Sequence, residues 1–211
     1  MTRLILIRHG QSEANRNIWW AGITDAPLTE RGRQQAEAAA AYLKEHEHID
    51  AIYASPLSRA TDTARPTAKA FGLPVIPDDD LREINGGVWE KLPFAELEIR
   101  YALDRAPWFT DLGAARCTEG ETVRELFDRV VAAVRRIAVE NDGKTVLIAS
   151  HWTPVLCMLA LAQGYGLENI RKCTEPRNAS MQILRFENGV FLPERLNITE
   201  HLERVSGGCA K

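Results

Sequence analysis

The chain has 211 residues, of which 45% are hydrophobic and 26% are charged, which is the composition of a globular protein large enough to bury one sizeable core. The formal net charge of −3 gives no support to binding of nucleic acid or of an anionic membrane surface. No apolar run approaches the ~20 residues of a membrane span, and no signal-peptide pattern precedes the first strand, so we expect a cytoplasmic protein.

The cysteines give no sign of a metal site. Cys117, Cys157, Cys173 and Cys209 are too far apart in sequence to form a CxxC or zinc-ligand pattern. In a cytoplasmic protein we expect them to be free thiols.

The first element is a short apolar strand that ends in a cation and an imidazole. Residues 4–7 are all Leu or Ile, which is typical of a strand buried on both faces. Arg8 and His9 follow, and ligands of open α/β sheets bind beyond the carboxyl ends of the strands. Gly10 lets the backbone turn there without a Cβ clash. The pair is either an anion site or an ordinary surface pair after a strand.

A polar, turn-rich loop then leads to a helix. The loop contains Trp19 and Trp20, which could form the walls of a cleft or could simply pack. Thr29 is the predicted N-cap of an alanine-rich helix that runs to about His46.

A second strand over residues 51–54 leads into the next helix. Ser55 is expected to cap this helix and Pro56 to take its first position. Gly72 is expected to end it. Arg59 therefore lies in the first turn of a helix that begins where a strand stops, a place that attracts anions.

A charged loop and a lid follow a third strand near Val75. The loop, residues 81–90, contains Glu83. A helix is predicted over about residues 93–104, and residues 105–119 are predicted to form a long irregular lid, since long loops of compact domains are often functional. The clearest amphipathic helix then runs from Glu121 to about Asn141.

The opening arrangement recurs late in the chain. An apolar strand over residues 144–149 ends in Ser150 and His151, and a helix is predicted from about Pro154. Two further strands are joined by a hairpin turn at Asn188-Gly189. The tail, residues 206–211, is small and polar and is expected to be disordered.

Strands that alternate with helices predict an α/β fold: a three-layer α/β/α sandwich, with a doubly wound, mainly parallel sheet and a late antiparallel strand. We expect residues 1–205 to form one domain, with a lid insertion at about residues 83–119 over the C-terminal strand ends. Arg8, His9, Arg59 and His151 would then converge from three strand ends.

Such a set suits the chemistry of a phosphate monoester. The monoester carries nearly two negative charges, which cationic donors can balance. An imidazole can attack phosphorus, and a second cationic group can stabilise the transferring oxygens. A carboxylic acid must then protonate the leaving oxygen.

The order of the motifs resembles the histidine phosphatase family, also called phosphoglycerate mutase-like, over about residues 3–200. Its segments correspond here to Arg8-His9-Gly10-Gln11-Ser12 with Asn15, Pro27-Leu28-Thr29-Glu30-Arg31-Gly32, Ser55-Pro56-Leu57 with Arg59-Ala60, Leu81-Arg82-Glu83-Ile84 with Trp89-Glu90, Ala149-Ser150-His151, and Asn178-Ala179-Ser180.

The resemblance implies a role for each matching residue. His9 would be the nucleophile and become phosphohistidine, with its other ring nitrogen donating to a backbone carbonyl. Arg8, Arg59 and His151 would hold the phosphoryl oxygens. Glu83 would protonate the leaving oxygen and then activate water, although it could instead be a salt-bridge partner of an arginine. No metal or other cofactor is implied.

Further candidates for substrate binding are Ser12, Asn15, Trp152 and Arg116. Ser12 and Asn15 would add hydrogen bonds to the phosphoryl group, and Arg116 belongs to the lid. Trp152 stands where the family often has glycine. It could narrow the pocket or stack on a substrate, or it could only pack.

Three functions are compatible with this resemblance. The first is a phosphomonoesterase of small phosphorylated metabolites. The second is a 2,3-bisphosphoglycerate-dependent phosphoglycerate mutase, although such mutases carry an Asn-Glu-Arg-His-Tyr-Gly type motif and a longer insertion that this chain lacks. The third is a non-catalytic phosphate-binding module, whose mark would be loss of His9 or Glu83. A homodimer through the late hairpin is a further hypothesis.

Overall fold

Strands and helices alternate along the chain in the computed structural model, which describes residues 1–205 without the side chain of Arg204. The strands are β1 (Thr2–Arg8), β2 (Ala51–Ala54), β3 (Val75–Pro77), β4 (Thr145–Ser150), β5 (Met181–Glu187) and β6 (Val190–Ile198). The α-helices are α1 (Glu13–Asn17), α2 (Glu30–His46), α3 (Ser58–Phe71), α4 (Phe94–Arg100), α5 (Ala102–Arg105), α6 (Pro107–Thr110), α7 (Val123–Glu140) and α8 (Trp152–Ala162). Short 3₁₀ helices span Asp79–Leu81, Gly87–Trp89, Leu112–Ala114, Leu167–Lys172 and Glu200–Val205. The predicted disorder of residues 206–211 lies outside the described residues.

The strands form one mixed sheet in the order β3-β2-β4-β1-β5-β6. The first four are parallel, whereas β5 runs antiparallel to β1 and β6 antiparallel to β5. In the central pair, Arg8 of β1 lies opposite Ser150 of β4. The residues that follow these strands therefore leave the same edge of the sheet side by side.

The two faces of the sheet bury separate cores, because side chains alternate along a strand. Leu4 and Leu6 pack with α7 and α8 on one face. Ile5 and Ile7 pack with α2 and α3 on the other. This confirms the predicted three-layer α/β/α sandwich.

Turn and cap residues explain most of the element boundaries. Thr29 caps α2, since its hydroxyl accepts a hydrogen bond from the backbone N–H of Gly32 at 3.0 Å. Gly72 closes α3 at a φ of 68°, a conformation that costs glycine little. The hairpin at Asn188-Gly189 is also confirmed, and both residues have positive φ angles, as a tight two-residue turn requires.

The predicted cap of α3 is wrong. The helix begins at Ser58, and its N-cap is Leu57, which offers no side-chain hydrogen bond. The Ser55 hydroxyl accepts from the Leu57 N–H at 3.4 Å, one residue ahead of the helix, and lies 2.8 Å from Nε2 of His151. A serine before a proline is a common helix start, but this one serves a distant residue.

The prediction of an irregular segment over residues 105–119 is wrong for residues 107–114, which form α6 and a 3₁₀ turn. The helix predicted over about residues 93–104 is present as α4 and α5, and we call residues 94–114 the lid. Pro107 opens α6 at its first position. The buried Trp108 indole donates to the Arg116 carbonyl at 3.0 Å. Aromatic packing thus holds helices that are too short to be stable alone.

Two further findings concern residues 1–205 as a whole. None of their helices combines the length and apolar character needed to cross a lipid bilayer. Cys117, Cys157 and Cys173 are buried free thiols, whereas Cys209 lies outside the described residues.

Candidate active site

A cavity of about 610 Å³ opens between the C-terminal ends of the central strands and the lid. Seven of the nine predicted site residues line it: Arg8, His9, Ser12, Asn15, Arg59, Glu83 and Trp152. His151 lies beside His9, with the two ring centroids 5.2 Å apart. One phosphoryl group is large enough to touch both rings at this separation. Arg116 is not on the wall of the cavity.

His9 follows β1 and is held in one tautomer. Its Nδ1 lies 2.7 Å from the carbonyl oxygen of Gly10, and because a carbonyl can only accept, Nδ1 carries the proton. The other nitrogen, Nε2, therefore keeps its lone pair. Burial, followed by the charges of Arg59 and Arg8, holds the pKa of His9 well below its usual value. The ring is neutral at pH 7, as a nucleophile must be.

Gly10 is required by close packing. A Cβ atom on this residue would lie 2.5 Å from the carbonyl oxygen of Gly32 in the first turn of α2. Its amide donates to the Thr63 hydroxyl of α3 at 3.0 Å. The backbone beside His9 is thus fixed by two helices.

His151 is oriented by the Ser55 hydroxyl, which lies 2.8 Å from its Nε2. Its Nδ1 is buried and has no partner among residues 1–205. The pKa of His151 is held well below its usual value by burial first and then by Arg59, His9 and Arg8. The neutral ring can accept a hydrogen bond from Ser55 at Nε2 and still donate from Nδ1 to a phosphoryl oxygen.

Two guanidiniums, of the half-buried Arg8 and the buried Arg59, supply positive charge beside His9. Arg8 donates to the Pro176 carbonyl at 2.8 Å, and its Nε is buried without a partner in the described part of the chain. Burial lowers the pKa of Arg8 to about 10, so the group remains charged at pH 7. Arg59 is 1% exposed and donates to the carbonyls of Thr24 and Gly22 at 2.9 and 2.7 Å.

Glu90 holds the loop that binds Arg59. Its carboxylate accepts from the backbone N–H groups of Gly22, Ile23 and Thr24 at 2.9–3.2 Å, and from that of Gly86 at 2.8 Å. The amides of this loop therefore face Glu90, while its carbonyls face Arg59. Sequence reasoning assigned no task to Glu90, because backbone contacts between distant loops leave no spacing pattern.

Glu83 lies on the cavity wall and is 8% exposed. Its oxygens accept from the backbone N–H groups of Ile84 at 2.9 Å and Thr153 at 3.3 Å. No ion pair with Arg82 or another arginine is found within residues 1–205, which weighs against the salt-bridge interpretation. Arg129 of α7 donates to the Glu83 carbonyl and pairs with Glu121, and so fixes the loop that carries the acid.

Ser12 and Asn15 form the cap of α1. The amide oxygen of Asn15 accepts from the Ser12 hydroxyl and from the Asn178 amide, both at 3.1 Å. The Asn15 NH₂ group has no such bond among the described residues and is available to a ligand. The Ser12 hydroxyl, by contrast, is used within the cap.

Two arginines that were not predicted as ligands, Arg105 of the lid and Arg171 outside it, line the cavity, whereas the predicted Arg116 does not. Arg116 is exposed, and only its carbonyl has a described bond, to Trp108. Besides Arg8 and Arg59, the cavity wall includes Arg105 and Arg171, together with Trp108 and Phe109. The helical conformation of α5 directs the Arg105 side chain to the cavity. A segment that is predicted to be irregular has no helical periodicity from which this direction could be predicted.

This arrangement matches the demands of a phosphoryl dianion. Two charged guanidiniums and an imidazole N–H can bind its oxygens, a neutral imidazole nitrogen can attack phosphorus, and a carboxyl group lies on the same wall. Among residues 1–205, no group of three or more His, Cys, Asp or Glu side chains is placed to hold a metal ion.

Comparisons with known proteins agree with this geometry. A family model described as histidine phosphatase superfamily (branch 1) matches residues 4–199. Phosphoserine phosphatase 1 of Hydrogenobacter thermophilus is 33% identical over 204 residues, which cover 96% of this chain and 95% of that protein. A probable phosphoglycerate mutase of Shigella boydii, GpmB, is 32% identical over 192 residues, or 91% of this chain and 88% of that protein.

Other relatives are longer than this chain. A bifunctional protein of Mycobacterium tuberculosis is 41% identical over 165 residues, which cover 78% of this chain but 45% of that protein. The chain thus spans about half the length of the first curated relatives that it matches. Among solved structures, Bacillus stearothermophilus YhfR has a TM-score of 0.91 at 28% identity, covering 96% of this chain and 100% of that one.

Proposed function

The chain belongs to the histidine phosphatase superfamily, branch 1, and on that premise we propose that it is a phosphomonoesterase of small phosphorylated metabolites that works through a phosphohistidine on His9. The observation that carries the proposal is the neutral His9 ring, whose Nδ1 is bound to the Gly10 carbonyl. Its Nε2 keeps its lone pair, and His9 lines a cavity that Arg8, Arg59 and Glu83 also line.

In the first half of the reaction the phosphoryl group moves to the enzyme. The Nε2 lone pair attacks phosphorus, a P–N bond forms and the P–O bond to the leaving group breaks. The Glu83 carboxyl group gives its proton to the departing oxygen, which leaves as an alcohol. Arg8, Arg59 and the His151 Nδ1–H stabilise the three phosphoryl oxygens, where negative charge accumulates.

In the second half water replaces the alcohol. The Glu83 carboxylate takes a proton from a water molecule, whose oxygen attacks phosphorus. The P–N bond breaks and its electron pair returns to Nε2. This step releases inorganic phosphate and restores the neutral His9 ring and the protonated Glu83 carboxyl group. The Asn15 amide would add a hydrogen bond to the phosphoryl group, and Trp152 would form part of the wall beside the leaving group.

The range of substrates is supported by the size of the cavity and by a relative. A volume of about 610 Å³ is that of a typical small-molecule site. A protein named phosphoserine phosphatase is related to this chain over nearly the full length of both.

The buried free thiols Cys117, Cys157 and Cys173 favour a reducing compartment, in agreement with the cytoplasm.

The substitution His9→Ala tests the proposal. Hydrolysis of p-nitrophenyl phosphate should fall about 10⁴-fold or more, because the attacking atom is gone. His48→Ala is the matched control, since His48 is exposed and should leave the rate unchanged. Phosphate release that survives His9→Ala, or that is absent from the wild type, would refute the proposal.

A phosphoglycerate mutase is the second candidate, because GpmB is almost as similar to this chain as the phosphatase is. The same preparation should be assayed for isomerisation of 3-phosphoglycerate in the presence of 2,3-bisphosphoglycerate. We expect phosphate release to be much faster than isomerisation. The opposite order would make the chain a mutase.

A further inference from the structure

Arg105 is a buried cation without a counter-ion at the end of α5. It is 7% exposed and lies on the wall of the cavity. Its guanidinium has no hydrogen bond or ion pair among residues 1–205, and its Nε is buried without a partner. Glu98 attracts it only from beyond ion-pair distance.

Aromatic rings surround this guanidinium. Five ring centroids lie 4.9–5.9 Å from its central carbon, those of Trp20, Trp89, Phe94, Trp108 and Phe109. Cation–π attraction compensates part of the cost of burying the charge. The rings present their faces, however, and cannot accept the in-plane hydrogen bonds that a guanidinium donates. The buried Nε–H of Arg105 is therefore unsatisfied, which is costly.

Arg105 is separate from the phosphoryl site proposed above. Arg8 and Arg59 are both anchored by backbone carbonyls, and they come from the strand-end side of the cavity. Arg105 comes from the lid, where Glu98 of α4 is the first charge that acts on it, and the guanidinium of Arg171, in the 3₁₀ helix Leu167–Lys172, opposes its charge. Arg171 itself is 3.8 Å from Glu175. The cavity therefore has a second place for negative charge, at the lid end.

We propose that Arg105 binds a carboxylate of the substrate, so that the enzyme prefers phosphomonoesters of small carboxylic acids. The inference rests on the phosphomonoesterase function proposed above. A guanidinium fork matches the two oxygens of a carboxylate and donates to both. One buried guanidinium balances one negative charge, which fits a carboxylate better than a second phosphate dianion.

Matched pairs of substrates test this assignment. 3-Phosphoglycerate and glycerol 3-phosphate differ by a carboxylate in place of a hydroxymethyl group, and phosphoserine and phosphoethanolamine differ by a carboxylate. The wild type should have the higher kcat/KM for the carboxylate member of at least one pair. Arg105→Met should lower kcat/KM for that member roughly 10–100-fold, mainly through KM, and should change the value for its partner less than about threefold.

Two further variants control for structural damage. Arg100→Met removes an exposed arginine of the neighbouring α4 that pairs with Glu96, and it should leave both pairs unchanged. Arg105→Lys keeps the charge but loses the fork, so it should recover only part of the preference for the carboxylate. The melting temperature of each variant shows whether the lid still folds.

The outcomes separate this inference from the proposed function. Equal losses for both members of a pair would mean that Arg105 only supports the lid, and they would overturn the inference. The inference would also be overturned if the wild type hydrolysed p-nitrophenyl phosphate but preferred the member without a carboxylate in both pairs. A bisphosphate that was a better substrate than the carboxylate members, and whose hydrolysis depended on Arg105, would overturn it as well. A wild type that hydrolyses none of these compounds would refute the phosphatase function itself.

Discussion

The ionisation of His9 is set first by its burial and then by two nearby arginines. Burial and the charges of Arg59 and Arg8 oppose a third positive charge, and they hold the pKa of His9 well below 6.5. The Gly10 carbonyl fixes the proton on Nδ1. The fold thus keeps the proposed nucleophile unprotonated without a base to remove a proton.

This ionisation predicts a specific pH profile. A lowered pKa means that His9 stays neutral as the pH falls through 6.5, so kcat/KM, corrected for ionisation of the substrate, should stay level from pH 7.5 to about pH 6. The activity should be lost only at lower pH, where the ring is finally protonated. An acid limb with its midpoint near 6.5 in the wild type would contradict the prediction, if a substrate of low pKa shows it too.

Individual site residues were predictable where the fold places them by rule. Arg8 ends β1, and His9 and His151 directly follow β1 and β4, which pair in parallel. The carboxyl ends of such strands share one edge of the sheet. Ser55 and Arg105 were not predictable as site residues. Their tasks depend on contacts with His151 and with a cage of aromatic rings, and neither contact follows a local spacing.

At the scale of elements, loops bind one another through single carboxylates and guanidiniums. Glu90 joins the loop of residues 22–24 to Gly86, and that loop in turn carries the carbonyls that hold Arg59. Arg129 has a corresponding role for the Glu83 loop, because its guanidinium donates to the Glu83 carbonyl and so holds the backbone of that loop. Neither residue needs to touch a substrate to affect the site.

Glu90→Gln tests the first of these connections. The amide can accept with one oxygen only, and its NH₂ group would face backbone N–H groups that need an acceptor. With the loop displaced, Arg59 should be misplaced, and we expect kcat/KM to fall about tenfold and inhibition by vanadate to weaken in parallel. Glu90 is thus a positioning residue.

The control for this variant is Glu96→Gln, on the exposed face of α4, which should behave like the wild type. If Glu90→Gln lowered the melting temperature but left kcat/KM and vanadate inhibition unchanged, its role would be purely structural.

The length of an element decides how well it can be predicted. The spacing of apolar residues in α7 predicts a helix over residues 121–141, and the structure has Val123–Glu140. The helices of the lid have four to seven residues, which is too short for a period of 3.6 to be recognised. Their conformation is fixed by the packing of buried residues such as Trp108, and that packing is a tertiary property.

At the scale of the whole molecule, one sheet joins the two cores and carries the site. Leu4 and Ile5 are neighbours in β1 but belong to different cores. Because the same strands contribute side chains to both cores, the loss of one core would also disturb the other. We therefore propose that residues 1–205 fold as a single domain, and two separate calorimetric transitions would contradict this.

A homodimer through β6 stays a prediction, although Pro193 lies in that edge strand and disfavours further strand pairing.

The fold brings Arg8, His9, Arg59 and Glu83 from distant parts of the chain to one cavity, and trapping a phosphoryl group on the protein tests the proposed phosphohistidine mechanism most directly. The enzyme would be mixed with a phosphomonoester and quenched in base, which preserves a P–N bond, and its peptides would be analysed by mass spectrometry. We predict one added phosphoryl group on the peptide that contains His9, more of it in Glu83→Gln, where activation of water is impaired, and none in His9→Ala. Hydrolysis with no such adduct in Glu83→Gln, or with the phosphoryl group on another residue, would contradict the account.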